Sequence, residues 1–523
     1  MSLLKSIATL SGFTLLSRLI GFVRDVLIAK YLGATLFADA FFVALRFPNL
    51  FRSLFAEGTL NVSFIPIFSK VMKENGKEKA KLFASEALTV LFYILLILTI
   101  LMEIFMPWAM VVLAPGFDKI AGKFEVTTAL SRITFPFLMA VSLLSLFACV
   151  LNSVGRFAAS AFVPCILNLM MIGFLLFLSP FFENPAYALA WGVFTAGFVE
   201  LIWLFVAAVR AGFLIKLLLP WRVFLHVSEE LKLLFKRMLP GVFGSGVYQI
   251  NLFLDTFFVS FVGAGAVSWL NYAHHLFQLP IGIIGVSIST ALLPVLASHI
   301  QKGDLESAHH DMNRALEVSF LMSLPSMIGL SFLSSPIIEV LFQRGNFTAS
   351  DTAPTAYALM AFSVGLPAYM LTKALSPFFY ARGDTKTPVK IATVGVIINA
   401  LLCVILMQFW GHVGIALATG ITVWINAGQY VRLLKKSNDL VFDATFKSRF
   451  IKIIIASCLM AIVLILSGKG VMLYLPKGMT EIKWLPAVSL IGQIGVASVF
   501  YFGSLFGMGA FKISDLKRMI KRG

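Results

Sequence analysis

The chain has 523 residues, 59% of them apolar and only 13% charged, with a formal net charge of +17 and a mean hydropathy of +0.92. Soluble proteins carry about a quarter charged residues, so a water-soluble domain is excluded and a polytopic membrane protein is indicated. The surplus of Lys and Arg is assigned to membrane topology rather than to nucleic acid.

Fourteen apolar segments are long enough to cross about 30 Å of hydrocarbon as helices. They are 7–29, 34–57, 82–106, 128–151, 158–180, 186–209, 238–262, 266–293, 315–336, 354–380, 388–408, 412–433, 450–468 and 485–507. The first is read as a span and not a cleavable signal, because it is long and charged and no small-residue cleavage site follows. Its charges are Arg18, Arg24 and Asp25; the second span holds Asp39, Arg46 and Arg52. At 100° per residue Arg18 and Asp25 share a face, as do Asp39 and Arg46, with Asn49 one turn on. Pro48 removes a backbone hydrogen bond and frees a carbonyl. Glu57 and Arg52 approach the membrane surface. Charges within a bilayer cost a few kcal/mol each. Mutual pairing would lock a bundle, yet Arg18, Arg24, Arg46 and Arg52 share only Asp25, Asp39 and Glu57. Packing does not require that cationic excess. A water-filled, anion-binding cavity does, because the guanidinium fork matches phosphate oxygens.

Further along, Asp255 stands alone in the seventh span, and the eighth reads "SWLNYAHHLFQLP", with Asn271, His274, His275 and Gln278. Two such histidines are packed polar residues or, beside a cavity, part-time cations. No third ligand at metal spacing accompanies them. Lys373 is the tenth span's charge and a second cavity candidate. Asp255, Asn399 and Thr419 offer the hard oxygens of a Na⁺ site. "RGDTKTP" at 382–388 is a turn, with Gly383 at the bend and Pro388 opening a helix. Cys149, Cys165, Cys403 and Cys458 sit in apolar runs and form neither a disulfide framework nor a CxxC site.

Lys and Arg concentrate in alternate connections, which places both termini in the cytoplasm. An offset of 232 residues lays Gly12 on Gly244, Gly33 on Gly265 and Pro48 on Pro280. The predicted architecture is therefore all-α. An N-terminal lobe of six spans occupies 1–222, a pseudo-twofold-related second lobe 223–440, and two extra helices with a basic tail 441–523. Parallel repeats of this kind set a substrate site between the halves. The last two spans serve as an anchor or as a surface for a long acyl or isoprenoid chain.

The stretches "RLIGFVRDVLIAKYLGA", "DAFFVALRFPNLFRSLFAEG", "FIPIF", "GVSISTALLP" and "FYARGDTKTPVKIA" resemble the MurJ (MviN) family of bacterial lipid II flippases over essentially the whole chain. That family belongs to the multidrug/oligosaccharidyl-lipid/polysaccharide exporter superfamily. The resemblance implies fourteen spans in two lobes and transfer of the undecaprenyl-pyrophosphate-linked peptidoglycan precursor from the inner to the outer leaflet of the cytoplasmic membrane. It implies that Arg18, Arg24, Asp39 and Arg52, with Ser17, Asp25, Asn49 and Glu57 beside them, receive the head group. Many members carry arginine where this chain has His275. In the cation site of some members, the acidic position one turn after Asn399 is here Cys403. Na⁺, protons or membrane potential remain open as drivers, and no other cofactor is expected. Lipid II and membrane lipids are the expected partners, with contacts to cell-wall synthesis machinery.

Three alternatives compete. A multidrug antiporter of the same superfamily would want an acidic, aromatic cavity, against the arginine excess. A flippase for another polyprenyl-linked saccharide would look alike. An enzyme acting on polyprenyl phosphate needs clustered carboxylates for Mg²⁺ or a nucleophile–base pair, and no such cluster is present in the sequence.

Overall fold

A computed structural model describes residues 3–55, 59–225, 227–474 and 484–510. The described residues form helices and no strands. They are α1 (Leu3–Leu32), α2 (Leu36–Phe55), α3 (Thr59–Leu113), α4 (Lys123–Thr134), α5 (Phe137–Ser153), α6 (Ala158–Gly173), α7 (Pro185–Arg210), α8 (Pro220–Leu225) and α9 (Glu229–Val259), followed by α10 (Ala266–Pro280), α11 (Val286–Lys302), α12 (Leu305–Phe332), α13 (Ser334–Phe342), α14 (Ala349–Ser363), α15 (Leu366–Ala381), α16 (Lys386–Lys436), α17 (Ala444–Tyr474) and α18 (Leu485–Gly507).

Among the described residues the predicted apolar segments fall mostly in helix, but helices and segments do not match one to one. Among the described residues, ten helices are long and apolar enough to cross a membrane. The chain is a multi-pass membrane protein. Predicted segments 7–29, 34–57 and 238–262 lie in α1, α2 and α9, which are not among those ten. Predicted segments 388–408 and 412–433 are the two arms of α16, which turns at Gly411 with φ 52° and ψ −128°. Its arms fold back on each other. A Cβ on Gly395 would meet Asn426, and Thr422 Oγ1 donates to Asn399 Oδ1 at 3.4 Å. The turn in α3 at Gly76 likewise lets the Phe64 and Phe83 rings stack with centroids 5.2 Å apart.

Packing divides the chain into two units, Met1–Ser268 with Arg344–Phe347, and Trp269–Gln343 with Thr348–Gly523. In the first, α1 packs on α6, α5 on α3 and α7, and α2 on α4, while α9 lies on α2 and α3. Helix α9 thus packs in the first unit, beyond the lobe limit of 222 read from the sequence. A Cβ on Gly197 would lie 2.8 Å from Phe137 Cδ2, so α5 and α7 cross at a residue without a side chain. The segment Arg344–Phe347 docks on the end of α1. Asn346 N donates to Lys30 O at 2.9 Å and Asn346 Nδ2 to Tyr31 O at 2.5 Å, which satisfies carbonyls of the helix's last turn. A Cβ on Gly345 would overlap the Lys30 carbonyl oxygen, and Gly345 adopts φ 59°.

The second unit is built on α12, which packs against α15 and α17. Its core includes Met312, Leu316, Leu375, Phe378 and Ile453. Helix α18 rests on α17, and the buried Tyr501 hydroxyl donates to Leu321 O at 2.7 Å.

Candidate functional site

The charges of the first two predicted spans lie in the first unit. Arg24 Nε and Nη2 donate to Asp25 Oδ1 at 3.0 and 2.7 Å, and Nη1 donates to Asn168 Oδ1 on α6 at 2.8 Å. Asn168 Nδ2 in turn donates to Ser17 O at 3.2 Å. Gly21 admits this amide, since a Cβ there would stand 3.4 Å from Asn168 Nδ2. The guanidinium plane is therefore fixed from two helices. Among the described residues three of its five N–H donors are committed, which leaves two. Asp25 is buried, whereas Arg18 is exposed. Helical periodicity puts Asp25 on the face of Arg18, but Asp25 takes the guanidinium of its neighbour Arg24, which Asn168 holds in place.

On α2, Arg46 Nη1 donates to Thr256 Oγ1 on α9 at 2.8 Å. Arg52 Nε donates to Asn49 Oδ1 at 3.0 Å, and Asn49 Nδ2 to Leu45 O at 2.9 Å. Pro48 has no N–H for the carbonyl of Ala44, four residues before it. That oxygen is taken by Thr134 Oγ1 of α4 at 2.9 Å, so the predicted free carbonyl exists and is satisfied from outside the helix. Glu200, on α7 and only 1% exposed, interacts electrostatically with Arg52. Sequence reasoning passed over it, although a lone carboxylate in an apolar run was the signal. Glu57 lies outside the described residues.

Asp39 is placed apart from these arginines. Its Oδ2 lies 2.7 Å from Lys123 Nζ at the start of α4, and both side chains are 0% exposed. Asp39 also accepts from Gly265 N at 2.7 Å, Ser268 N at 2.8 Å and Ser268 Oγ at 2.6 Å. It thus supplies, from another helix, the cap that the first turn of α10 needs. Lys123 Nζ stands 3.9 Å from the centroid of the Phe117 ring. In this arrangement Asp39 neutralises a lysine and no arginine, and it presents no open face. Lys123 was missed because it precedes the predicted span 128–151 and reads as a loop charge. Lys123 and Asp39 cancel each other, while Asp25 pairs with Arg24 and Glu200 interacts with Arg52.

The remaining candidates are dispersed. In the second unit His275 is half-buried on α10, beside the pair His274 Nε2 and Gln278 Nε2 at 3.2 Å. Lys373 is exposed on α15, its stem against Gly285, whose Cβ would lie 3.4 Å from Lys373 Cγ. Of the Na⁺ candidates, Asp255 belongs to the first unit, where Asn251 Nδ2 donates to its Oδ2 at 3.4 Å. Asn399 and Thr419 are buried in the second unit, and Thr419 Oγ1 donates to Ile415 O at 3.2 Å. Those two side chains supply neutral oxygens. Among the described residues, no group of three or more His, Cys, Asp or Glu is placed to hold a metal.

A family model described as "Lipid II flippase MurJ" matches residues 28–487. The chain belongs to the MurJ lipid II flippase family. The resemblance read from its arginine-bearing motifs is thereby borne out. Among MurJ relatives, a probable lipid II flippase MurJ of Rhizobium tropici is 37% identical over 540 residues, covering 100% of this chain and 97% of the relative. A probable lipid II flippase MurJ of Rickettsia prowazekii is 38% identical, covering 97% of this chain and 98% of the relative. A solved lipid II flippase MurJ in an inward closed conformation is similar at a TM-score of 0.77 and 28% identity, covering 95% of this chain and 99% of that one. A multidrug resistance MATE family transporter in an inward-facing conformation, at 16% identity and a TM-score of 0.67, shares the fold over 83% of this chain and 98% of its own. Within the MurJ frame, the Arg24–Asp25–Asn168 arrangement and the Arg46 and Arg52 contacts are the arginine features of the first two helices that the structure ties to other residues.

Proposed function

We propose that the chain is a lipid II flippase that carries the undecaprenyl-pyrophosphate-linked precursor from the inner to the outer leaflet of the bacterial cytoplasmic membrane by alternating access, with both termini cytoplasmic. Family membership supports the substrate class. The observation that carries the reading is Arg24, immobilised by Asp25 and Asn168 with two N–H donors left over among the described residues. A guanidinium oriented before substrate arrives loses little freedom on binding a pyrophosphate, and its fork meets two oxygens at once. Arg18, Arg46 and Arg52 supply the remaining positive charge. Asn49 positions Arg52, and His275 and Lys373 are the candidate head-group residues of the second unit. Nothing in this reading breaks a covalent bond. Na⁺, protons or membrane potential are the candidate drivers.

The test is leaflet transfer of lipid II by the purified protein in vesicles. Arg24→Lys keeps the charge but loses the fork. A fall of about tenfold or more in transfer is expected, and a further fall for Arg24→Ala. Drug uptake and chemical conversion of polyprenyl phosphate should both be absent. Full transfer by Arg24→Ala would overturn the head-group assignment, and drug uptake without lipid II transfer would favour an antiporter.

A further inference from the structure

The first unit contains a cavity that the transport reading does not use. Helix α5 ends at Ser153, the chain turns through Gly155 at φ 74°, and α6 begins at Ala158. Gly155 N donates to Asn152 O at 3.1 Å and Arg156 N to Leu151 O at 2.9 Å, which closes the turn and fixes where Arg156 leaves the backbone. Arg156 Nη1 then donates to the carbonyl of Arg210, the last residue of α7, at 3.3 Å. Two guanidinium-bearing residues thus meet where three helices end on one side of the membrane. Beneath them is a cavity of about 580 Å³, lined by both arginines and by Phe13, Phe162, Trp203 and Val206. Phe162 sits between the other rings, 5.6 Å from Phe13 and 5.7 Å from Trp203. Trp203 Nε1 donates to Ala159 O at 3.1 Å, which leaves its apolar faces for the cavity.

Each feature has a local explanation when taken singly. Arg156 caps the end of α7, and the rings pack with one another. Together they form a space with hydrocarbon walls and a doubly cationic rim, at the depth where span ends meet lipid head groups. Arginine forks hold phosphate oxygens, and tryptophan sits naturally at the interface between head groups and tails. Among the described residues the Arg210 side chain makes no hydrogen bond or ion pair, so a positive charge at the rim is left for an anion.

We propose that this cavity binds one anionic phospholipid of the adjoining leaflet, with its phosphate on Arg156 and Arg210 and the upper part of one acyl chain against Phe13, Phe162 and Trp203. The proposal rests on the membrane placement of α5, α6 and α7 and is independent of what the protein transports.

Trp203 provides a local reporter. The full-length protein in detergent is titrated with phosphatidylglycerol brominated on its acyl chains, and separately with brominated phosphatidylcholine. The quenching lost in Trp203→Phe is taken as the Trp203 signal. Each basic residue near the membrane surface favours an anionic lipid about fivefold, so with two arginines half-quenching by phosphatidylglycerol is expected at a concentration roughly thirtyfold lower. Arg156→Gln/Arg210→Gln should bring the two lipids together while leaving the thermal midpoint unchanged. Should that variant fail to fold, Arg210→Gln alone, whose side chain makes no bond here, should narrow the difference. Equal quenching by the two lipids in the unaltered protein would overturn the proposal, as would a preference that survives the loss of both arginines. Displacement by inorganic phosphate alone would assign the rim to a free anion. Displacement by an equal concentration of lipid II would assign the cavity to the transported substrate. Either result refutes a phospholipid site.

Discussion

Lys123→Met removes an ammonium group that lies 2.7 Å from Asp39 and 3.9 Å from the Phe117 ring centroid, at a place where both charged side chains are wholly inaccessible. Methionine retains most of the stem, so lost charge rather than lost packing dominates the change. Asp39 keeps three donors, from Gly265 N, Ser268 N and Ser268 Oγ. They satisfy lone pairs without neutralising the carboxylate. Removing one member of a buried pair costs about 3–5 kcal/mol, and the surviving donors put the expected loss near the lower end, at about 3 kcal/mol. In units of 150–250 residues each kcal/mol moves the thermal midpoint by about 2–4 °C, so a fall of about 6–12 °C is expected. Asp39→Asn strands the lysine instead and should cost about as much. The double variant carries neither charge, while the Asn amide oxygen still accepts from the first turn of α10. It should return to within about 1 kcal/mol of the parent, far from the sum of the single losses. The assay is a double-mutant cycle on the thermal midpoint of the detergent-solubilised protein. Additive single effects would mean no coupling between Lys123 and Asp39, and the argument from a buried pair would be wrong.

Thr134→Val should leave the Ala44 carbonyl without its donor, at about 1–3 kcal/mol. Pro48→Ala restores an N–H to that carbonyl and should rescue the Val variant, read from thermal midpoints of the single and double variants. Asp384, at the turn before α16, accepts from Thr387 and Lys386, and these bonds, that of Thr387 foremost, hold its carboxyl below the ordinary value of 3.8. A depressed carboxyl stabilises fully above its unfolded value and loses that contribution as pH falls through the folded one. The deficit of Asp384→Asn relative to the parent should therefore be present at pH 7 and close below about pH 4, measured as paired thermal midpoints. His275→Arg, which installs the residue common in the family, should preserve lipid II transfer in vesicles. His275→Ala should weaken it. An inactive Arg variant beside a normal Ala variant would mark His275 as a packing residue.

Much of the fold was legible because membrane helices announce themselves locally. Apolar runs located every helix that carries a predicted span, and Pro48 alone implied the carbonyl that Thr134 now satisfies. The arginine set of α1 and α2 was legible for the same reason, as charge where charge is expensive. Pairings between distant residues were not. Lys123 lies 84 residues from Asp39 and outside an apolar run, so nothing in its neighbourhood signals burial. Asn168, 144 residues from Arg24, is an unremarked polar residue in α6 until the guanidinium reaches it. Helical periodicity placed Asp25 on the face of Arg18 and gave no sign of its bond to the adjacent Arg24. Arginine is long enough to bend onto an adjacent carboxylate when a third side chain anchors its far edge. The placement of α9 in the first unit depends on packing against α2 and α3, which no local pattern encodes.

The docking of Arg344–Phe347 on the end of α1 also bears on biosynthesis. The last carbonyls of α1 receive their donors from Asn346, whereas the rest of the first unit is supplied by residues up to Ser268. A nascent chain that has reached Ser268 therefore lacks the piece that finishes its first helix. At about 5–20 residues per second, the 78 residues from Ser268 to Asn346 take roughly 4–16 s to emerge. Helices α10 to α13 leave the ribosome in that interval while the end of α1 still relies on transient partners.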